Sequence, residues 1–250
     1  MKAFGAVTRL GFAARGLIYA LIGYLALRSG RTENASGALD YLASGAGRLL
    51  VAAMAAGFLS YGLWRLLEAW IDSEDRGRDA KGLGVRLAGA GSGIIHLGLG
   101  GAALLATVGK GGGGGSDSSE TGASAALSIP GGELVLYIAA AIVLGVGIAQ
   151  FRKAWTLKFL RHLKPEAARR RWVAWLGRSG FAARGILFLL TGWFLVQAAR
   201  AHSPGAAGGI DEALASLPRA AQIAVAAGLV LFGLFSLTEA FYRRIPLARQ

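Results

Sequence analysis

Arg9-Leu10-Gly11-Phe12-Ala13-Ala14-Arg15-Gly16-Leu17-Ile18-Tyr19 returns later in the chain as Arg178-Ser179-Gly180-Phe181-Ala182-Ala183-Arg184-Gly185-Ile186-Leu187-Phe188. A weaker copy lies between them, Arg86-Leu87-Ala88-Gly89-Ala90-Gly91-Ser92-Gly93-Ile94-Ile95-His96. Each copy opens an apolar stretch, and a second apolar stretch follows each one. The unit is therefore a pair of apolar helices used three times, over residues 8–72, 85–156 and 177–242.

Six stretches are long and apolar enough to cross a bilayer, which takes about 20 helical residues. They run near Leu10–Leu27, Leu49–Trp70, Leu87–Val108, Leu134–Gln150, Gly180–Val196 and Ala220–Phe241. Only 16% of the residues are charged and 54% are hydrophobic, whereas a soluble domain carries about a quarter charged residues. Strand-like alternation is missing, which argues against a β-barrel. The first stretch has basic residues ahead of a short apolar core, as a signal peptide does. Its internal recurrence at Arg178–Phe188 makes it a retained helix instead. The expected fold is an all-α integral membrane domain over residues 1–250, a bundle of six transmembrane helices.

Lysine and arginine are retained on the cytoplasmic side of membrane proteins. With six spans, 18 of these residues fall on the side holding both termini and 6 on the other. Both termini are expected in the cytoplasm. Two spans per repeat make every copy enter the membrane in the same direction. The repeats are then parallel, with a pseudo-threefold relation along the membrane normal, and inverted repeats of the alternating-access kind are excluded. The net charge of +13 follows from this bias and needs no nucleic acid. The basic, tryptophan-bearing segment 152–178 is expected to meet anionic lipid headgroups. Residues 156–177 read as a basic interfacial loop. Residues 109–133, with the run Gly111–Gly115, read as a flexible Gly/Ser-rich loop.

Corresponding glycines recur through the repeats. Gly16, Gly93 and Gly185 match, as do Gly23, Gly100 and Gly192, seven residues on and so on one helix face. In the second helices Gly62, Gly147 and Gly233 match, and Gly57 matches Gly228. Glycine in membrane helices lets backbones approach closely, so these positions are assigned to helix packing.

Polar positions recur on the same helices. Arg15, Ser92 and Arg184 correspond, and one turn on stand Tyr19, His96 and Phe188. In the second helices Arg65, Gln150 and Ser236 form one set, and Glu68, Lys153 and Glu239 another, three residues further. Arg15 and Glu68 lie near cytoplasmic helix ends by the charge count, where charged groups pair or snorkel. Arg15 and Arg184 each have Glu68 or Glu239 available as a partner. Arg15, Arg65, Glu68, Ser92, His96, Gln150, Lys153, Arg184, Ser236 and Glu239 make up the candidate binding cluster, a polar vestibule of net positive sign suited to an anion or a lipid phosphate. His96, deeper in its span, is a candidate proton relay.

Two outward loops, Gly37–Ala43 and Gly209–Ala215, place apolar residues three to four apart and read as short amphipathic helices. Their carboxylates, Asp40, Asp211 and Glu212, have no second motif beside them that would make them a catalytic pair. The chain has no cysteine and three scattered histidines. It has no HExxH, GxSxG or Walker signature, so neither metal nor cofactor is expected.

The sequence resembles the bacterial membrane family known as domain of unknown function 1206. The resemblance rests on Arg15–Tyr19, its echo Arg184–Phe188, and the Tyr-Gly-Leu-Trp…Glu-Ala-Trp pattern of Tyr61–Trp70. It covers nearly the whole chain and implies three tandem two-helix units. The middle copy departs from the pattern at Ser92 and Lys153. No activity comes with the resemblance. The expected function is a non-catalytic scaffold, assembly or stress-related membrane component, with membrane proteins or further copies of the chain as partners. The alternative is a small permease or channel for an anionic or lipid-phosphate ligand.

Overall fold

The computed structural model describes residues 2–30, 32–33, 35–44, 47–72, 77, 79–109 and 118–244. Among them the chain is helical, without a β-strand. Six helices are long and apolar enough to cross a membrane: α1 (Lys2–Ser29), α3 (Arg48–Ile71), α4 (Ala80–Thr107), α6 (Gly132–Thr156), α8 (Arg171–Ala201) and α10 (Arg219–Tyr242). They are the two-helix units of the three repeats, in sequence order.

The segments Gly37–Ala43 and Gly209–Ala215 fall on the two expected short helices, α2 (Ala35–Ala43) and α9 (Ile210–Ala215). Each turns one apolar strip inward. Ala38 and Leu39 of α2 and Ala213 and Leu214 of α9 are fully buried. The Glu212 carboxylate accepts from the Gly209 backbone N–H at 2.8 Å, tying down a donor that the start of α9 leaves without a helical partner.

Two segments differ from expectation. The glycine run 111–115 lies outside the described residues, but the same predicted loop contains α5 (Ser118–Leu127). Ala123 of α5 is buried in a cluster with Leu136, Ala198, Ala199 and Ala207. Its small residues pack tightly enough to order a stretch whose composition suggests a linker. The basic segment 156–177 is likewise built rather than looped. A 3-10 turn over Lys158–His162 and α7 (Pro165–Ala168) precede α8, which begins at Arg171. Phe159, Leu163, Ala167 and Val173 are its apolar anchors, in one cluster with Phe181, Phe232 and Phe235. The charge of this segment hides an amphipathic pattern too short and irregular to stand out.

Two compact units divide the chain. One holds Met1–Arg15, Leu39–Gly112 and Ser236–Gln250; the other holds Gly16–Ala38 and Gly113–Phe235. In the first unit α3 crosses α4 at Gly62 and Gly93. A methyl group on Gly62 would stand 2.8 Å from the Gly93 carbonyl oxygen, and one on Gly93 would stand 2.9 Å from that of Gly62. Two turns along, Gly100 faces Leu59. In the second unit α6 crosses α8 in the same register, with Gly147 against Leu189, Gly185 against Phe151 and Gly192 against Leu144. There too α10 meets α1, with Gly233 against the Gly16 carbonyl and Ala20, and Gly23 against Ala226 and Val230. One interface is thus made three times, by the second helix of one repeat on the first helix of the next. The third repeat takes the first as its successor.

A second kind of contact lies inside repeats. Gly11 faces Tyr61 and Gly57 faces Leu10 in the first unit. Their counterparts in the second unit are Gly180 against Phe232 and Gly228 against Ala183. The middle repeat has Ala88, Val146 and Ile142 at the positions of Gly11, Tyr61 and Gly57.

Candidate functional site

The polar residues follow the same three interfaces. Where α10 meets α1, in the first unit, Arg15 Nη2 donates to Glu239 Oε2 at 2.5 Å and its Nε donates to Ser236 Oγ at 3.2 Å. Arg243 donates to the other carboxylate oxygen of Glu239. Both guanidinium groups stand over the Phe12 ring, at 4.8 Å for Arg15 and 4.6 Å for Arg243. The Glu239 side chain is only 5% exposed. A carboxylate so buried is tolerable because two guanidinium groups donate to it, and the Phe12 face beneath them holds those cations in turn.

Where α3 meets α4, the carboxylate is Glu68, but its arginine comes from its own helix. Arg65 Nη1 donates to Glu68 Oε2 at 2.5 Å. The counterpart of Arg15 here is Ser92, and the counterpart of Ser236 is Arg65. Arginine and serine have exchanged helices while the carboxylate kept its place. Room for the pair comes from Gly89, where a methyl group would stand 3.2 Å from Arg65 Nη2. The counterparts of Gly89 in the other repeats are Phe12 and Phe181.

Where α6 meets α8, Gln150 and Lys153 replace that pair. Gln150 is buried, and Lys153 is exposed with its Nζ 5.7 Å from the Phe181 ring. Arg184 lies over three rings, Phe232 at 4.5 Å, Tyr19 at 4.9 Å and Phe188 at 5.2 Å. Ring faces can hold a guanidinium in apolar surroundings through their quadrupoles.

His96 Nδ1 lies 2.7 Å from the Ser92 carbonyl one turn back on α4. Its ring packs against Tyr61 at 4.7 Å and Phe58 at 6.0 Å. A donor spent on its own helix and packing against the Tyr61 and Phe58 rings describe a packed imidazole.

One recurring element escaped the sequence reading. Arg9, Arg86 and Arg178 stand seven residues before Gly16, Gly93 and Gly185. Each reaches the C-terminal carbonyls of the second helix packed against it. Arg9 donates to Ala240 O at 2.7 Å and Phe241 O at 2.6 Å. Arg86 donates to Ala69 O at 2.8 Å and Trp70 O at 3.0 Å. Arg178 donates to Ala154 O at 3.3 Å. Ala69, Ala154 and Ala240 are themselves counterparts. A helix end leaves four carbonyls without partners and carries partial negative charge, and a guanidinium answers both. The signal was visible as an arginine at the head of every copy. Its acceptors are backbone atoms, which leave no mark in a sequence.

The family model described as Domain of Unknown Function (DUF1206) matches residues 10–72, 87–157 and 179–243, one match per repeat. The uncharacterized protein YxxB of Bacillus subtilis (strain 168) is 30% identical over 258 residues, covering 98% of this chain and 92% of that protein. No solved structure matches.

Proposed function

Since the chain belongs to the DUF1206 family, whose description assigns no activity, we propose that it is a non-catalytic scaffold or assembly component of a bacterial cytoplasmic membrane. The observation that supports this is how its intramembrane charges are spent. Arg15 and Arg243 hold Glu239, Arg65 holds Glu68, and Arg9, Arg86 and Arg178 hold helix ends. Ionisable residues in membrane spans mark transport or relay paths when they line a cavity. Here Arg15, Arg9, Arg86 and Arg178 tie one helix to the next, while Arg65 and Arg243 neutralise a buried carboxylate of their own helix.

Both termini lie on the cytoplasmic side in this reading, supported by the 18-to-6 distribution of basic residues. The amphipathic segment between α6 and α8 then rests at the cytoplasmic surface, beside anionic headgroups, with Trp155, Trp172 and Trp175 exposed there as interfacial aromatics. Its partners are other membrane proteins or further copies of the chain.

Purification from native membranes in mild detergent tests the reading, with anion flux measured on the same preparation in liposomes. The expected result is reproducible co-purification of a defined membrane protein or a defined oligomer, and flux no higher than in protein-free vesicles. An anion flux that Arg15→Ala abolishes without lowering thermal stability overturns the scaffold in favour of a permease.

A further inference from the structure

The arginine cap differs in one of its three copies. Arg9 and Arg86 each reach two carbonyls, whereas Arg178 reaches Ala154 alone, and through Nε. Arg86 also has a carboxylate near it, Asp72 Oδ2 at 3.9 Å. Asp72 ends α3 in the left-handed conformation with φ of 56°, and Leu157 ends α6 in the same way with φ of 52°. The two are counterparts, each ten residues past the crossing glycine of its helix, Gly62 or Gly147. The carboxylate beside Arg86 is therefore replaced by a leucine beside Arg178.

That replacement opens onto a cavity of about 210 Å³ lined by Leu157, Arg171, Ala174, Trp175 and Arg178. The lining carries two guanidinium groups and no acidic side chain. Arg171 and Arg178 are seven residues apart on α8, so they share a face, and Trp175 lies between them. Arg178 holds the Ala154 carbonyl through Nε, with the Trp175 ring 5.8 Å from its guanidinium carbon. Its planar fork of N–H donors matches the geometry of a phosphate. The volume is below the roughly 300–1,000 Å³ of pockets that enclose a drug-sized molecule. It suits a headgroup whose acyl chains stay in the bilayer.

We propose that this cavity binds the phosphate of an anionic phospholipid, which supplies the negative charge that Asp72 supplies to Arg86. The proposal rests on the membrane reading above, which sets the C-terminal end of α6 and the start of α8 at the cytoplasmic lipid surface.

The test uses the full chain in detergent, titrated with phosphatidylglycerol or phosphatidylcholine and followed by thermal unfolding and native mass spectrometry. Two variants accompany it. Leu157→Asp rebuilds the arrangement of Asp72 and Arg86, and aspartate accepts the left-handed conformation better than leucine does, so its fold is kept. Arg171→Gln removes one charge at an exposed helical position. Phosphatidylglycerol is expected to bind the wild type selectively, and each variant to weaken that binding about fivefold, the effect of one basic charge at a lipid surface. Equal binding of both lipids, or unchanged binding in both variants, overturns the site. Stabilisation by inorganic phosphate equal to that by phosphatidylglycerol overturns the lipid as its source. Flotation with pure phosphatidylcholine vesicles separates the two readings. A chain that integrates there without preferring phosphatidylglycerol loses only the site, while one that fails to integrate loses the membrane reading and the site together.

Discussion

Gly91 and Gly93 lie two residues apart on α4, and replacing each by alanine should have opposite effects. A methyl group on Gly93 meets the Gly62 carbonyl oxygen at 2.9 Å and Leu66 Cδ2 at 3.0 Å, whereas one on Gly91 meets nothing within 4 Å. Alanine gains about 1 kcal/mol over glycine in a helix at either position. At Gly93 the neighbour includes backbone, which cannot swing aside. Relief requires α3 and α4 to separate by about 0.5 Å, and a gap of that size forfeits about a quarter of the dispersion energy of each contact pulled apart. Overpacking of this kind costs about 1–3 kcal/mol. The net for Gly93→Ala is then a loss of up to about 2 kcal/mol, or about 4–8 °C in melting temperature at the upper end for a chain of this size. Gly91→Ala should be neutral or up to about 1 kcal/mol more stable. Thermal unfolding of both variants in one detergent, read by tryptophan fluorescence, decides the matter. A Gly93→Ala protein as stable as Gly91→Ala would refute the close crossing of α3 and α4.

Arg15→Ala is expected to cost about 1–3 kcal/mol, less than the 3–5 typical of a stranded buried charge, because Arg243 remains beside Glu239. Glu239→Gln leaves two arginines facing a neutral amide and should cost more, and the double variant should lose less than the sum of the two; additive losses in thermal melts would show the charges uncoupled. Arg86→Ala removes two charge-assisted bonds to the end of α3 and should cost about 1.5–3 kcal/mol, with faster amide exchange in the last turn of that helix, while unchanged exchange there would refute the cap. A reporter fused after Gln250 should be active in a cytoplasmic format only; activity of an external format would reverse the orientation.

The repeat was legible because glycine and arginine keep their spacing in each copy, and a helical period converts spacing into a shared face. Gly62, Gly93 and Gly100 could thus be assigned to packing before any helix was placed. Which helix each would meet was not legible, since a glycine face is complementary to any small-residue face. Arg15 was seen to need a carboxylate, but Glu68 and Glu239 stand at equivalent positions, and only the crossing of α10 with α1 selects Glu239. The Arg65–Glu68 pair was masked because its arginine occupies the position where the other interface has serine. In α5 and around Phe159, tertiary burial of a few small or aromatic residues overrode a local composition of glycine, serine and arginine.

The pairing of each second helix with the first helix of the following repeat has a consequence for synthesis. α1 emerges before the other helices described and its partner α10 after them, so Arg15 and Glu239, 224 positions apart, meet only once α10 has been made. At about 5–20 residues per second that wait is roughly 10–45 s. Throughout it Arg9 and Arg15 sit in a newly inserted helix without the carbonyls and the carboxylate that hold them in the finished protein. A message truncated before α10 would yield a product in which Arg15 lacks Glu239 and Arg9 lacks the carbonyls of Ala240 and Phe241.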